Sequence, residues 1–302
     1  MAGFRELLAV EWDDNAVETL RLNFPHLDVY HGDIAKLSVE DVLRRTGLEP
    51  GHLDVFDGSP PCQGFSTAGK RDMGDERNQL FREYVRLLRG LRPKCFVMEN
   101  VSGMVKGKMK RIFVEILREL KASGYRVSAR ILNAKHYGVP QSRERMIFVG
   151  VREDLGIEPS HPVGSVNVYS VSDAGVGVVS DKAEIQRLLE GGLRYEAYKI
   201  WDSLLPGQSG RFGDHYKIDP KRPAHSVLKA TGKINFRSVM HCSEKRRPSS
   251  AELKRIGSFP DCYQFIGGFE YAGERIGNSV PPLLMRSVTR HIRENILSPR
   301  LL

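Results

Sequence analysis

Several features are scarce in this sequence, and each scarcity excludes a class of protein. The 302 residues contain four cysteines, Cys62, Cys95, Cys242 and Cys262, without a CxxC pair, a pattern that fits neither a zinc site nor a disulfide framework. No apolar run approaches the ~20 residues that cross a bilayer. Acidic residues occur near the N-terminus before any long apolar run, which is not the pattern of a signal peptide. We therefore expect a cytoplasmic protein with no membrane contact and no metal.

The composition is otherwise that of a globular protein with a basic surplus. Apolar residues make up 40% and charged residues 27% of the chain, which excludes extended disorder. The 46 Lys and Arg exceed the 37 Asp and Glu by nine, giving a net charge of +9. This surplus is compatible with a polyanionic partner, although net charge alone is weak evidence for nucleic acid.

Short strand-like runs alternate with amphipathic helical runs through the first half of the chain. This alternation predicts an α/β fold with a doubly wound, mostly parallel sheet, whose ligand site lies at the carboxyl ends of the strands. The predicted strands are Leu7–Trp12, Asp28–Ile34, Leu53–Pro61, Phe96–Val101, Arg126–Leu132 and Met146–Val151. The predicted helices are Asn15–Asn23, Val39–Arg45, Asn78–Arg89 and Arg111–Ala122.

The pattern changes near residue 155. The segment Gly156–Gly177 is rich in Gly, Ser, Val and Pro, and periodicity stays weak until about residue 240, which predicts a second, smaller and irregular domain. Helical patterns return at Ser250–Phe259 and after Pro282, and the last helix is expected to pack back on the first domain. The predicted division is a large domain over 1–155, completed by about 276–302, and a small domain over 156–275.

The strongest local signal is the run GSPPCQGFS, Gly58 to Ser66, which directly follows a predicted strand. Its prolines constrain the backbone and place Cys62 at the edge of the sheet, in a polar loop flanked by glycines. Two interpretations are about equally supported by the residues alone: a proline-rich turn with a structural cysteine, and a loop presenting a nucleophilic thiolate.

Two further runs carry charge at strand ends. Glu99 in MENV ends an apolar strand, where burial favours proton exchange, although a helix-capping role is the commoner use of such a residue. Arg143 and Arg145 in QSRER stand two apart at the start of a strand, so both side chains point to one face. Paired guanidiniums suit a phosphate or a base carbonyl, while an exposed charged strand edge is the alternative.

Seven blocks, in this order, resemble the cytosine-5 DNA methyltransferases. They are EWD from Glu11, GDI from Gly32, GSPPCQGFS, ENV from Glu99, QSRER from Gln141, an RxxSxxE…FPD segment over 246–261, and GNSVPP from Gly277. The resemblance covers nearly the whole chain. It implies the fold of S-adenosylmethionine-dependent methyltransferases, with a small target-recognition domain between QSRER and FPD, and double-stranded DNA as partner.

The same resemblance implies roles for the catalytic residues. Cys62 is the nucleophile that adds to carbon 6 of a flipped cytosine, Glu99 contacts ring nitrogen 3 and the amine, and Arg145 holds the carbonyl oxygen. Arg143 positions the catalytic loop or a phosphate. Basic residues expected to contact phosphates are Lys70, Arg71, Lys221, Arg222, Lys229 and Lys233.

The implied cofactor is S-adenosyl-L-methionine, and its contacts are carried over residue by residue. Glu11 matches the residue that binds the ribose hydroxyls, Trp12 the ring against the adenine, and Asp33 with Ile34 the pair at the adenine edge. The positions matching the methionine end are Gly58, Pro60, Leu80, Asn278 and Ser279.

One block of the family pattern has no match. The family begins with a strand and a glycine-rich FxGxGG loop, whereas AGFRELLAVEWD matches only the tail of that block. The resemblance therefore predicts a sheet without a central strand, to be completed by a complementary N-terminal polypeptide, in a chain that by itself binds the cofactor weakly.

Two other functions remain open on the sequence. A tRNA cytosine-5 methyltransferase shares the PPCQ and ENV runs, although the GFS that follows PPCQ favours DNA. A catalytically weak DNA-binding remnant would also explain the missing glycine loop. The target sequence is not readable, because no motif of the small domain maps side chains to bases.

Overall fold

The computed structural model describes residues 2–61, 76–107, 109–175, 181–191, 195–210, 215–229 and 238–298. Its strands are β1 (Leu8–Glu11), β2 (Asp28–His31), β3 (Val55–Gly58), β4 (Cys95–Val101), β5 (Tyr125–Asn133), β6 (Gln141–Ser142), β7 (Glu144–Arg152), β8 (His215–Lys217), β9 (Ala224–His225) and β10 (Ser238–Met240). Its α-helices are α1 (Asp14–Asn23), α2 (Val39–Thr46), α3 (Glu76–Leu91), α4 (Met109–Ala122), α5 (Lys182–Glu190), α6 (Tyr195–Trp201), α7 (Ser250–Ile256), α8 (Gly268–Asn278) and α9 (Pro282–Ile292).

The main sheet has the strand order β3-β4-β7-β5. β3 and β4 are parallel, whereas β7 runs antiparallel to both of its neighbours. The reversal follows from the short connection between β5 and β7, which occupies only residues 134–143. A crossover between parallel strands needs a dozen or more residues. The described strands otherwise pair in parallel, so the predicted mostly parallel α/β fold is confirmed.

Alternating apolar residues let the main sheet bury both faces. Phe96 and Met98 of β4 pack with apolar residues of α3 and α4 on one face. Cys95 and Val97 point to the other face, where they pack against α9. Because side chains alternate along a strand, one apolar run serves two helix layers. The predicted return of the last helix to the first part of the chain is confirmed.

Strands β1 and β2 form a separate two-stranded parallel sheet. Within the described residues, β1 pairs with β2 and β3 pairs with β4, and no ladder joins β1 to β3. The two sheets nevertheless share a helix layer, because Leu8 and Val10 of β1 and Phe56 of β3 pack in one cluster with Leu87 and Leu91 of α3. The sheet is therefore interrupted between β1 and β3.

The region after β7 contains a third apolar cluster, built from residues between Val171 and Ile276. Periodicity was predicted to be weak up to about residue 240, and the structure has two helices there that the pattern did not predict, α5 and α6. In α5 only Leu188 is buried and the helix start depends on Asp181, whose carboxylate accepts from Ala183 N at 2.8 Å. Such a helix has a weak apolar stripe, which explains why the periodicity failed to predict it.

Two helices near the end of the chain also differ from prediction. α7 begins at Ser250 as predicted but ends at Ile256, and Ser258 then adopts a positive φ of 62°. α8 was not predicted, since its glycines lower helix propensity. None of the helices in the described ranges combines the length and the apolarity needed to cross a membrane.

Candidate active site

The segments that follow β3 and β4 lie at the same edge of the main sheet, because these strands are parallel neighbours. Asn100, which is buried near the end of β4, donates a hydrogen bond from Nδ2 to the Pro60 carbonyl at 3.0 Å. This bond ties the proline segment to β4. Cys62, two residues beyond Pro60, lies outside the described residues.

Gly58 ends β3 where a larger residue does not fit. A Cβ atom at Gly58 would lie 2.9 Å from the Tyr84 ring, and Tyr84 itself donates a hydrogen bond to the Val97 carbonyl at 3.2 Å. Tyr84 also stacks on Phe56, with ring centroids 4.8 Å apart. Gly58, at the start of the proline segment, therefore packs against Tyr84 of α3, which is in turn bonded to β4.

Glu99 and Arg145 form an ion pair at this edge. Arg145 Nε lies 2.6 Å from Glu99 Oε1, and each side chain is only 14% exposed. Glu99 pairs with Ile147 and Arg145 with Val101 in the antiparallel register of β4 and β7, so the two are diagonal neighbours on one face. Tertiary structure therefore brings together two of the predicted catalytic residues that are distant in sequence.

The environment of the pair alters the proton affinity of both groups. Burial raises the pKa of Glu99 above its ordinary value, although Arg145 and Arg143 oppose the shift. Burial likewise lowers the pKa of Arg145. Arg145 donates from Nη1 to the Glu144 carbonyl at 2.8 Å, and no described residue accepts from its Nη2. The pair thus offers one carboxyl group suited to proton exchange and one N–H donor open to a ligand.

Arg143 lies in a different environment from Arg145. It is 2% exposed, and its Nη1 donates to the Val227 carbonyl at 2.7 Å. Its Nη2 donates to the carbonyls of Gly277 at 2.6 Å and Ser279 at 3.0 Å. The guanidinium therefore binds three backbone carbonyls of the chain. Its predicted role toward the catalytic loop or a phosphate stays a prediction.

The residues predicted to hold a nucleoside meet at the ends of β1 and β2. Gly32 N donates to the Glu11 carbonyl at 2.9 Å, which joins the two strand ends. Glu11 Oε1 accepts from the backbone N–H groups of Trp12 and Asp13, and its second oxygen has no partner among the described residues. The Trp12 ring is 72% exposed. Asp33 caps the short 3₁₀-helix Ile34–Lys36 by accepting from Ala35 N at 2.9 Å.

Helix α8 links these strand ends to the second predicted cofactor group. Arg275 pairs with Asp13, directly after Trp12, and donates to Asn15 Oδ1 at 3.1 Å. Asn278 and Ser279 follow at the end of the same helix, where Arg143 holds the Ser279 carbonyl. Leu80, the remaining predicted contact, is half-buried on α3.

The basic residues predicted to contact phosphates are placed only in part. Lys221 and Arg222 are exposed, as a phosphate contact requires. Lys229 is also exposed, and its ammonium group lies 3.0 Å from Glu274 Oε1. Lys70, Arg71 and Lys233 lie outside the described residues.

Asn100 and Gln141 belong to the predicted motifs but were not singled out as site residues. Both are buried polar side chains, and each binds backbone atoms of a distant segment. A polar residue inside an apolar or strand-forming run is a signal for Asn100, whereas Gln141 gives no such signal, since its partners lie 86 and 115 residues away.

The family model described as C-5 cytosine-specific DNA methylase matches residues 1–294. The chain belongs to this family. The match runs across all the strands and helices that build the site and confirms the resemblance seen in the motifs. Membership of a methyltransferase family implies, in general, dependence on S-adenosylmethionine.

Curated relatives of this C-5 cytosine-specific DNA methylase are similar over most of their length. Type II methyltransferase M1.HphI of Haemophilus parahaemolyticus is 34% identical over 313 residues, covering 96% of this chain and 81% of the relative. Type II methyltransferase M.SacI of Streptomyces achromogenes is 31% identical over 335 residues, covering 97% of this chain and 85% of the relative.

Solved structures support the fold. A candidate DNA modification methyltransferase encoded within an Escherichia coli prophage superimposes with a TM-score of 0.78 at 23% identity, covering 98% of this chain and 94% of that one. The Dnmt2 methyltransferase of S. pombe superimposes with a TM-score of 0.62 at 18% identity, covering 94% and 89%. The methyltransferase fold predicted from the motifs is confirmed.

Proposed function

We propose that this chain is a DNA (cytosine-5-)-methyltransferase, acting on a cytosine flipped out of double-stranded DNA, in the cytoplasm and within a restriction-modification system. The observation that carries the proposal is the buried Glu99–Arg145 pair, 2.6 Å apart, at the sheet edge where Asn100 anchors the proline segment before Cys62. Family membership and the Type II methyltransferase relatives support the choice of DNA over tRNA.

The proposed reaction begins with the Cys62 thiolate. Carbon 5 of cytosine is a poor nucleophile until a thiolate adds to carbon 6 and pushes electrons toward carbon 5. Glu99 stabilises this addition at ring nitrogen 3, and burial, which raises the pKa of its carboxyl group, favours proton sharing between the carboxyl and the ring. Arg145 Nη2 donates to the base carbonyl. Once carbon 5 carries the methyl group, a base removes the carbon 5 proton and the Cys62 thiolate leaves carbon 6.

S-adenosyl-L-methionine, when bound, supplies an electrophilic methyl group to this site. The residues at the ends of β1 and β2 fit its nucleoside half. They are an exposed Trp12 for stacking, a Glu11 oxygen without a partner in the described part of the chain for the ribose hydroxyls, and Asp33 with Ile34 for the base edge. Gly58, Pro60, Leu80, Asn278 and Ser279 are proposed to surround the methionine half.

The activity is tested by methyl transfer from tritium-labelled S-adenosylmethionine to unmethylated plasmid DNA and, in parallel, to tRNA. We expect label in DNA and not in tRNA, and bisulfite sequencing of the product should place methyl groups on cytosines of one short sequence. Transfer to tRNA in preference to DNA would favour the alternative substrate. DNA binding without transfer to either would instead identify a catalytically weak remnant.

We also propose that a further strand completes the sheet between β1 and β3. Each of these strands has a partner on one side only within the described residues, and their residues are half-buried, or exposed at Asp57, where the centre of a sheet is normally buried. Each backbone group left without a partner there costs about 1–3 kcal/mol.

The gap is tested by adding a family-like segment of about 20 residues, enough for one strand and a glycine-rich loop, fused before residue 1 or as a separate peptide. We expect calorimetry to show S-adenosylmethionine binding at least about tenfold tighter with the segment. The control segment carries prolines in the strand, which remove the donors that pair with a sheet. Equally tight cofactor binding by the 302-residue chain alone would contradict this proposal.

A further inference from the structure

Gln141 is buried at the joint between the main sheet and the small domain. It is 1% exposed, and both ends of its amide group are bonded to backbone atoms. Its Oε1 accepts from Val227 N at 3.0 Å, and its Nε2 donates to the Ile256 carbonyl at 3.2 Å. One side chain of β6 thus holds an extended segment and the last residue of α7.

Arg143 completes the attachment of the same segment. Its Nη1 donates to the Val227 carbonyl at 2.7 Å, so the N–H and the carbonyl of Val227 are bonded to side chains two residues apart. Its Nη2 extends the joint to Gly277 at 2.6 Å. Because buried backbone groups without partners are costly, these bonds define where the backbone of Val227 lies.

Gly277 presses on this segment from the opposite side. A Cβ atom at Gly277 would lie 2.4 Å from the carbonyl carbon of Leu228 and 2.5 Å from Lys229 N, far inside contact distance. The end of α8 therefore packs directly on the peptide that follows Val227. Val227 itself is buried, whereas Leu228 and Lys229 are exposed.

The joint has a defined relation to the candidate active site. Arg145, which pairs with Glu99, stands two residues after Arg143, and the carbonyl of Ser279 is bound by the same guanidinium as Gly277. The segment presents exposed side chains on both sides of Val227, at His225, Leu228 and Lys229. A shift of Val227 would therefore move these side chains relative to the groups proposed to bind the flipped base.

Other contacts support the small domain without the Gln141 amide. β6 and β9 form a parallel ladder, Gln141 with Ala224 and Ser142 with His225, and that ladder uses backbone atoms. The third apolar cluster includes Val227 and Ile256 themselves, so apolar packing also holds both residues that the Gln141 amide binds. Removing the amide should loosen one segment and leave the fold intact.

We propose that Gln141 is a positioning residue for DNA: with Arg143 and Gly277 it holds the Val227–Lys229 segment so that the exposed side chains of this segment contact the substrate. The proposal rests on the proposed function, since DNA is taken as the substrate. The contacts that Gln141, Arg143 and Gly277 make with this segment then affect the affinity for DNA and not the rate of the chemical step. Gln141 does not itself touch substrate.

The test compares wild-type protein with Gln141→Met, which keeps the length of the side chain and removes both hydrogen bonds. We expect the KM for unmethylated plasmid DNA to rise about tenfold, because part of the binding free energy must then order the Val227–Lys229 segment, with kcat changed less than threefold and the KM for S-adenosylmethionine unchanged. Gln186→Met is the matched control, because Gln186 is exposed on α5 and bonds only to Glu190.

Gly277→Ala perturbs the same segment from the other side and gives an independent variant. Its effect on DNA affinity should be less than additive with that of Gln141→Met, since both displace one segment. Equal rises in the KM values for DNA and cofactor, fully additive effects, or a DNA KM within twofold of wild type would each overturn the proposal. Affinity for a plasmid fragment, measured by fluorescence anisotropy, tests the role of Gln141 even if the wild-type protein transfers no methyl group. Absence of methyl transfer by the wild type would refute the proposed function and not the role of Gln141.

Discussion

Replacing Cys62 with alanine is expected to abolish methyl transfer and covalent capture of DNA. Alanine has no thiolate to add to carbon 6, and without that addition carbon 5 does not attack the methyl group. DNA containing 5-fluorocytosine is the measurement, because fluorine at carbon 5 cannot leave as a proton and the adduct with active protein accumulates. Wild-type protein should give a DNA adduct that survives denaturation, and Cys62→Ala should give none.

The chain supplies its own control for this experiment. Cys262 is exposed, and a thiol there is accessible to the same reagents. Cys262→Ala is expected to keep both activity and adduct formation. Cys95 is unsuitable as the nucleophile, because burial raises its pKa to about 12 and keeps the thiol protonated. An adduct formed by Cys62→Ala would disprove the assignment.

Glu99→Gln is expected to lower kcat by about a hundredfold to ten-thousandfold, the usual contribution of a positioned acid or base, with the KM for DNA changed less than threefold. The amide has nearly the same shape but cannot accept or release a proton as the carboxyl group of Glu99 can, whose pKa burial raises. Charge develops on the base only as the thiolate adds, so the loss should appear in the rate and not in binding.

Glu119→Gln is the matched control for that substitution. Glu119 also pairs with an arginine, Arg89 at 3.1 Å, but both side chains are exposed on α3 and α4, so the change should leave kcat unaltered. Single-turnover rates and equilibrium DNA affinity separate the two effects. Equal losses of rate and affinity in Glu99→Gln would assign Glu99 a binding role instead.

Much of the fold and of the site was predictable, because the relevant signals are local. Strand-like apolar runs predicted β4 and β7, and the charged residues beside these strands predicted Glu99 and Arg145 as site residues, whereas only the antiparallel course of β7 brings the two together. Helices α5 and α8 were missed because their burial is slight or their glycines are many, so the local pattern is weak.

Partners that lie far apart in sequence were beyond prediction. The sequence places Arg143 and Arg145 in one motif with seemingly equivalent guanidiniums, and only the folded chain separates them. Arg145 pairs with a carboxylate, while Arg143 is bonded to carbonyls 84, 134 and 136 residues away. Hydrogen-bond partners at such separations depend on how whole elements pack, and no periodicity of residues encodes them.

The sequence by itself indicated the family and the groups of the proposed chemistry, the thiol of Cys62 and the carboxyl of Glu99. The tertiary structure decided that Glu99 meets Arg145, that β7 reverses direction, and that within the described ranges no ladder joins β1 to β3. The physical reason is that side-chain identity and strand propensity are local properties, whereas burial, ion pairing and backbone satisfaction arise only when distant segments exclude water from one another.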